Sequence, residues 1–467
     1  VNEIDSIIRE IQTYCRQHGI AESTFGRLAV GNSKLMVRLR SGKGITLKTL
    51  QRIREFMLDP QRQEPAGTTS PVSAGSQYPF VDTGVDAGEL ENKIFERPFR
   101  FYDNRQKYLA FVYTCNEKNA IARRAVKELQ HIQPVSPGLR VFDAGTGAGL
   151  VLSEVIRNLH HRYPTVPLFV NGKEISDENA RLCLEKMPDR FCEHPAMVLV
   201  ISNLRYNEAP LLRPADVRTA AALNWIEVPL RGQSSYGFAQ QIADLDRTLN
   251  DGWATRRSET SGNPVCIRPS VLVMYREDHR LLLDPLIPRL DQGKRQYDLI
   301  LASHPWRASE SADVKVRNIL APLTRALAPG GRLLVVQGYG DDPGHEILQE
   351  EWPGTQPFTV RRHELLRVLK EQLGREADAY NFNAFSDNKA LFQYHMHALP
   401  AEITENLGTS TLLAAWNAAI YVGQIDDEKL EAAIAKGTYL NATRKVLKKH
   451  GGLWFNDECF VVSRTRT

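Results

Sequence analysis

The chain has few cysteines for its 467 residues, and the six present (Cys15, Cys115, Cys183, Cys192, Cys266 and Cys459) are scattered. They form no C-x-x-C pair and no zinc-finger spacing. This argues against a disulfide scaffold or a cysteine-built metal centre and makes a reduced, cytoplasmic setting the expectation, with no metal. No apolar run is long enough to span a bilayer, so no membrane partner is expected. The N-terminus has no apolar signal core and opens instead on the amphipathic series Ile4, Ile7, Ile8, Ile11. No internal repeat is visible, which removes solenoids and propellers. A strong charge of one sign is also missing. The formal net charge is +4, and Val1–Pro60 carries all of it, with ten Lys/Arg against six Asp/Glu. The remainder is neutral, which argues against a large nucleic-acid groove there, while the N-terminal excess favours an anionic partner.

The length suggests roughly two to four domains. Glu3–Arg16, Glu22–Val30, Ser33–Arg40 and Thr46–Leu58 read as short helices, with turns at Gly19, Gly31-Asn32 and Gly42-x-Gly44. A stretch rich in Pro, Gly, Ser and Thr follows. The expected organisation is a helical domain over 1–60, a linker over 61–92 and a larger domain over 93–467. After a helical Lys107–Ile132, apolar strands alternate with amphipathic helices. The strands are Arg140–Asp143, Leu168–Val170, Met197–Ser202, Val271–Tyr275, Asp298–Ala302, Arg332–Gln337 and a last one within Leu453–Ser463. The helices include Leu150–His160, Asp177–Lys186 and Val314–Leu327. The pattern predicts an α/β fold with a doubly wound, mostly parallel sheet. Insertions are expected near 204–270 and 355–410, the second mostly helical.

Arg140–Leu150 reads RVFDAGTGAGL. An apolar strand ends in Asp143, then comes Gly145-x-Gly147-x-Gly149, then a helix whose free N–H groups can face an anion. The third glycine arrives one residue too early for a dinucleotide fingerprint, and an acid stands two before the first. Leu168–Glu174 (LFVNGKE) ends in Glu174, a carboxylate suited to two vicinal hydroxyls. Leu327–Val336 (LAPGGRLLVV) carries the turn Pro329-Gly330-Gly331. Together these resemble the class I S-adenosylmethionine (SAM)-dependent methyltransferases. The resemblance implies a seven-stranded Rossmann-like sheet with helical caps, SAM as cofactor, and a cofactor set of Asp143, Ala144, Gly145, Thr146, Gly147, Gly149 and Glu174. Two positions compete for the adenine contact: Asn203 after Met197–Ser202, and Asp278 after Val271–Tyr275. The reading leans to Asn203, which places Trp225, Trp253 and Tyr236 in an insertion able to cover the substrate. Tyr102, Tyr108 and Tyr113 lie in a segment that covers SAM in related enzymes.

The end of the fourth parallel strand would face the methyl group. There Tyr297–Arg307 reads YDLILASHPWR, and Ser303-His304-Pro305-Trp306 is similar to the D/N/S-P-P-Y/F/W motif of amino-group methyltransferases, with His304 replacing a proline. Ser303, His304 and Trp306 are the candidate catalytic residues, His304 alternatively as a general base. Asn203-Leu204-Arg205-Tyr206 echoes the N-L-P-Y motif of RNA adenine dimethyltransferases, but it sits too early in the chain for that role. Tyr380–Asp387 (YNFNAFSD) reads as helical-cap packing, with a substrate-cavity lining as its alternative. Gly19–Gly44 resembles a repressor-type helix-turn-helix, whose second helix would offer Lys34, Arg38 and Arg40 to DNA. Three functions follow. The favoured one is methyl transfer to a small molecule or protein side chain. The others are a DNA-binding regulator with SAM as effector, and a nucleic-acid amino-methyltransferase. A second copy of the chain is a further candidate partner.

Overall fold

The structure is a computed structural model. It describes residues 3–18, 22–30, 35–40, 49, 53–54, 56–57, 105–257, 264–290, 295–398, 403 and 407–466. The chain divides into two compact units, Val1–Val85 and Asp86–Thr467.

In the N-terminal unit, helices Glu3–His18, Glu22–Val30 and Leu35–Arg40 close over a small core. Ile7, Ile11 and Tyr14 of the first pack on Phe25 and Ala29 of the second and Leu35, Met36 and Leu39 of the third. Arg40 is exposed, but its guanidinium is tied to Glu22 at 2.5 Å. Lys34, the side chain of Arg38, the turns at Gly19, Gly31-Asn32 and Gly42–Gly44, Tyr102, and the linker expected over 61–92 all lie outside the described residues.

The larger unit is mixed α/β. Its strands are β1 (Leu139–Asp143), β2 (Leu168–Lys173), β3 (Met197–Ser202), β4 (Asn224–Leu230), β5 (Thr255–Arg257), β6 (Pro264–Cys266), β7 (Ser270–Arg276), β8 (Tyr297–Ser303), β9 (Leu327–Gly338), β10 (Tyr380–Asn383), β11 (Leu391–His395) and β12 (Trp454–Arg464). Ten of them form one sheet in the order β10-β12-β9-β8-β1-β2-β3-β7-β4, with β11 also on β12, while β5 and β6 make a separate pair. The run β9-β8-β1-β2-β3 is parallel throughout. Such strands are buried on both faces, which is why VFD, LFV, MVLVIS and LILA are near-continuous apolar runs. Alternate residues face opposite layers. Phe142, Val198 and Val200 pack against Ala312–Arg325 and Arg362–Leu373, whereas Val141, Leu199 and Ile201 pack against Glu117–Val126, Leu150–Arg162 and Asp177–Leu184. The sheet winds one way from β1 through β2 to β3 and the other way through β8 to β9. The crevice between the ends of β1 and β8 is the topological switch point, where open α/β sheets take their ligands.

Four sequence expectations need correction. The sheet has ten strands rather than seven. The placing of Met197–Ser202 as the third strand, by contrast, agrees with the pairing: it is the parallel neighbour of β2, and Val271–Tyr275 lies in β7, which runs antiparallel beyond it. The region 355–410 is not helical alone. Beside the helical segments Arg362–Leu373, Gly374–Ala379 and Asp387–Ala390 it holds β10 and β11, both paired with β12. Tyr380 and Phe382 lie on one strand face and pack on the main core, so YNFN is an alternating strand, neither helical packing nor a cavity wall. The helix expected over Lys107–Ile132 is broken at Cys115-Asn116 into Arg105–Thr114 and Glu117–Val126. There Cys115 bridges Met396, and the Asn116 side chain accepts the His395 N–H at 2.7 Å. Among the described residues, no helix is long and apolar enough to cross a membrane.

Candidate active site

The sharp turn after β1 is built by its glycines. Gly147 (φ 52°) and Gly149 (φ 75°) are left-handed, and a side chain on Gly149 would reach the Cys183 backbone at 2.8 Å. The loop is docked at both edges: Ala144 N–H donates to Leu301 O of β8 (2.8 Å) and Thr146 N–H to Lys173 O of β2 (3.0 Å). Gly172 of β2 must be glycine for the same contact, since a Cβ there would lie 2.5 Å from Thr146 Oγ1. Above the turn, the Tyr108 hydroxyl accepts from Ala148 N–H at 3.2 Å, and its ring packs on Tyr421. Tyr113, by contrast, is 76% exposed.

Two buried carboxyls flank this turn. Asp143 accepts from Gly145 N–H at 3.3 Å. Burial lifts its pKa to about 7 against the backbone bond and Lys118. A neutral carboxyl is therefore part of the folded state. Its contribution is complete below the ordinary value of 3.8 and is lost as pH rises through about 7. Without ligand, Asp143→Asn should leave the melting temperature unchanged near pH 4 and raise it at pH 8. A melting series across that window checks the sign. Glu174, just past β2, accepts from Ser176 N–H at 2.8 Å. Burial raises its pKa, while the N–H groups of Ser176, Ile175 and Gly147 oppose the shift.

On the other side of the crevice, β8 ends in Ser303. Its hydroxyl oxygen is buried and has no hydrogen-bond partner among the described residues. His304 is left-handed at φ 46°, costly for a residue with a Cβ. Its Nε2 lies 3.1 Å from Asp457 Oδ2 and 3.3 Å from Glu117 Oε1. Burial opposes the charged imidazole, but Asp457 and Glu117 outweigh it and raise the His304 pKa. Trp306 donates its indole N–H to Gln337 Oε1 at 3.1 Å. Gln337 in turn donates to Glu458, and Glu458 pairs with the buried Arg362 at 2.9 Å. Lys315 Nζ stands 5.6 Å from the Trp306 ring centre, its pKa lowered to about 8 by burial.

Both halves open on one cavity of about 330 Å³, within the size range of small-molecule sites. Gly145, Gly147, Glu174, Ser303, His304 and Trp306 all line it, as do Tyr108, Tyr206 and Phe358. Asp143, Thr146 and Lys118 line a smaller recess beside it. Of the expected cofactor residues, Ala144 and Gly149 shape the turn without lining either space, and Asn203 does not join them. Its amide donates to Gly252 O and Arg268 O and accepts from Ser270 N–H, so every polar atom is committed to the loop that closes β7 against β3. The alternative, Asp278, is bound to Arg276 and His279 and lines neither space. The insertion aromatics do not cover the cavity either. Trp253 is fully buried, donating to Glu174 O at 2.7 Å, and Tyr236 is 75% exposed. Trp225 packs against the main core.

Sequence reasoning missed Glu117 and Asp457. The signal available for Asp457 was an acidic pair, Asp457-Glu458, inside the apolar strand FNDECFVV; both are fully buried. Among the described residues, Glu117, His304 and Asp457 also bring ligand-type atoms within 4.8 Å of one another, a set able to hold a cation. Lys118 Nζ, 2.6 Å from Glu117 Oε2, already supplies positive charge there.

No protein-family model matches the chain, and no curated relative matches it in sequence. Among solved structures, it is similar to a putative sarcosine dimethylglycine methyltransferase from Galdieria sulphuraria (8% identity, 74% of this chain and 85% of that chain, TM-score 0.31). It is also similar to a cyclopropane synthase from Mycobacterium tuberculosis (14%, 78% and 96%, TM-score 0.29). A third is a geranyl diphosphate methyltransferase solved with its diphosphate and sinefungin (11%, 75% and 79%, TM-score 0.29). Likenesses this loose carry no argument about what the chain binds, so the functional reading rests on its own site.

Proposed function

We propose that the unit Asp86–Thr467 is a SAM-dependent methyltransferase that modifies a small molecule, with a protein side chain as the second acceptor class. The observation that carries this reading is the joining of two features in one cavity at the switch point: a glycine turn a Cβ would fill, with a buried acid on either side, and the Ser303–Trp306 tip. The fit to the cofactor is chemical. Glu174 can accept from two ribose hydroxyls, and Asp143 can face a cationic amino group. The helix starting at Leu150 can face a carboxylate. When bound, the sulfonium supplies an activated methyl group, which leaves the protein to align the acceptor and exclude water. Trp306, Tyr206 and Phe358 offer flat apolar walls to the acceptor. Labelled SAM incubated with the protein and cell extract is expected to mark a small-molecule fraction. SAM binding without label in any fraction counts against the reading.

The nucleic-acid amino-methyltransferase reading is not favoured. A proline is locked near −65° and could not stand at the φ of 46° that His304 adopts, so this tip is not a variant of the double-proline motif. For the N-terminal unit we propose DNA contact, tested by salt-dependent binding; loss in Arg40→Ala supports it and indifference removes it.

A further inference from the structure

Glu117, Asp457 and Lys118 have no part in the reading so far. They stand on elements far apart in sequence, Glu117 and Lys118 opening a helix after the Cys115-Asn116 break and Asp457 inside β12. The two acids converge on one nitrogen of His304. Burial opposes the Glu117 carboxylate, but Lys118 and His304 outweigh it and hold its pKa below the ordinary value, whereas burial raises that of Asp457. An ionised carboxylate only accepts hydrogen bonds. Facing Glu117 and Asp457 Oδ2, Nε2 is the nitrogen that carries a proton to donate, and Nδ1 becomes the one that gains and loses one. His304 Nδ1 makes no hydrogen bond to any described residue. Its side chain is 24% exposed and lines the cavity. The left-handed backbone at His304 carries the ring off the end of β8 into this position, which is strain of the kind that collects at functional sites.

We propose that His304 Nδ1 is the proton acceptor of the methyl transfer, with Asp457 and Glu117 as positioning residues, and that the methyl acceptor is a hydroxyl on a flat, phenol- or enol-like ring. The proposal rests on the methyltransferase reading. A neutral amine already presents a lone pair, whereas a phenol, with a pKa near ~10, must shed its proton as it attacks. The ring matches the walls of Trp306, Tyr206 and Phe358. In the balanced step the O–H bond breaks and its proton passes to Nδ1. The oxygen forms a bond to the methyl carbon, and the carbon–sulfur bond breaks with its electron pair left on a neutral thioether.

The groups facing His304 set its proton affinity. Asp457 from β12 and Glu117 raise it, and Lys118 lowers it. Tyr394 from β11 has its hydroxyl buried without a hydrogen-bond partner among the described residues, and burial together with Asp457 and Glu117 keeps that phenol protonated. A cation could compete for the same three ligand atoms, but Lys118 opposes it.

The test uses the full chain, His304→Asn and Asp457→Asn. Asparagine tolerates the left-handed region, so His304→Asn should fold, and its melt verifies this. The probes are 2-naphthol and 2-methoxynaphthalene, titrated calorimetrically. The hydroxyl probe is expected to bind the wild type roughly 10-fold more tightly than the ether, the worth of about one hydrogen bond, and His304→Asn should erase the difference. Nitrogen-15 NMR should show Nδ1 titrating while Nε2 stays protonated, with the midpoint falling in Asp457→Asn. Equal affinity for the two probes, titration at Nε2, or one manganese ion bound per chain and lost in His304→Asn each overturns the proposal. If SAM still binds when these fail, only this inference falls; if SAM does not bind, the methyltransferase reading falls first.

Discussion

Gly149→Val is expected to destroy SAM binding and to destabilise the larger unit by several kcal/mol. Two costs add at this residue. A left-handed backbone costs a residue with a Cβ about 1–2 kcal/mol, more for a β-branched one. The new side chain would also start 2.7 Å from Cys183 Sγ and 2.8 Å from Cys183 Cα. Backbone cannot yield as a side-chain tip can, and overpacking of this kind costs about 1–3 kcal/mol. Any relief comes from moving the turn away from the Asp177–Leu184 helix, which pulls its N–H groups out of line with the ligand. Losing two charge-assisted hydrogen bonds lowers affinity by roughly 100-fold or more. Gly232→Ala is the control. Gly232 is also left-handed, at φ 90°, but nothing lies within 4 Å of its would-be Cβ, so only the backbone cost should appear. Urea midpoints of the two variants, with SAM titrations, separate the effects.

Glu458→Ala is expected to be nearly as damaging to stability. Glu458 is fully buried and accepts from the Arg362 guanidinium, the Arg362 backbone N–H and the Gln337 amide. Removing it leaves Arg362 as a buried charge held only by Ala384 O and Asp387. Breaking one side of such a pair costs about 3–5 kcal/mol. The effect reaches the cavity, because Gln337 is the group that holds the Trp306 indole N–H. A released Trp306 should weaken binding of a flat aromatic probe without changing SAM affinity. Arg367→Ala, which removes an exposed pair with Glu371, should leave both unchanged. A urea midpoint as high as that of the wild type would contradict the role assigned to this network.

What could be read from the sequence was local. The run RVFDAGTGAGL carries its strand, its turn and its helix start within eleven residues, because only glycine serves at Gly147 and Gly149. Glu174 and the Ser303–Trp306 tip were legible for the same reason, each marking the end of an apolar strand. The strands that were missed lack that signal. β4 (NWIEVPL) holds Glu227 and Pro229, tolerable because it lies at the sheet edge. β10 and β11 are short, β10 is half amide, and both depend on β12 for their pairing. Asn203 misled because a polar residue past β3 can serve a ligand or close a loop, and only its three committed hydrogen bonds decide. The partners of His304 were invisible for a different reason: Asp457 lies 153 residues away in sequence, and Glu117 looks like any acid in a first helical turn.

The most direct measurement is calorimetric titration of the full chain with SAM, beside Glu174→Ala and with NAD as the competing nucleotide. The account predicts one saturable site for SAM, an affinity roughly 100-fold weaker once the carboxylate that accepts from the ribose is removed, and no heat from NAD. Binding of NAD in place of SAM, or a SAM affinity indifferent to Glu174, would contradict it.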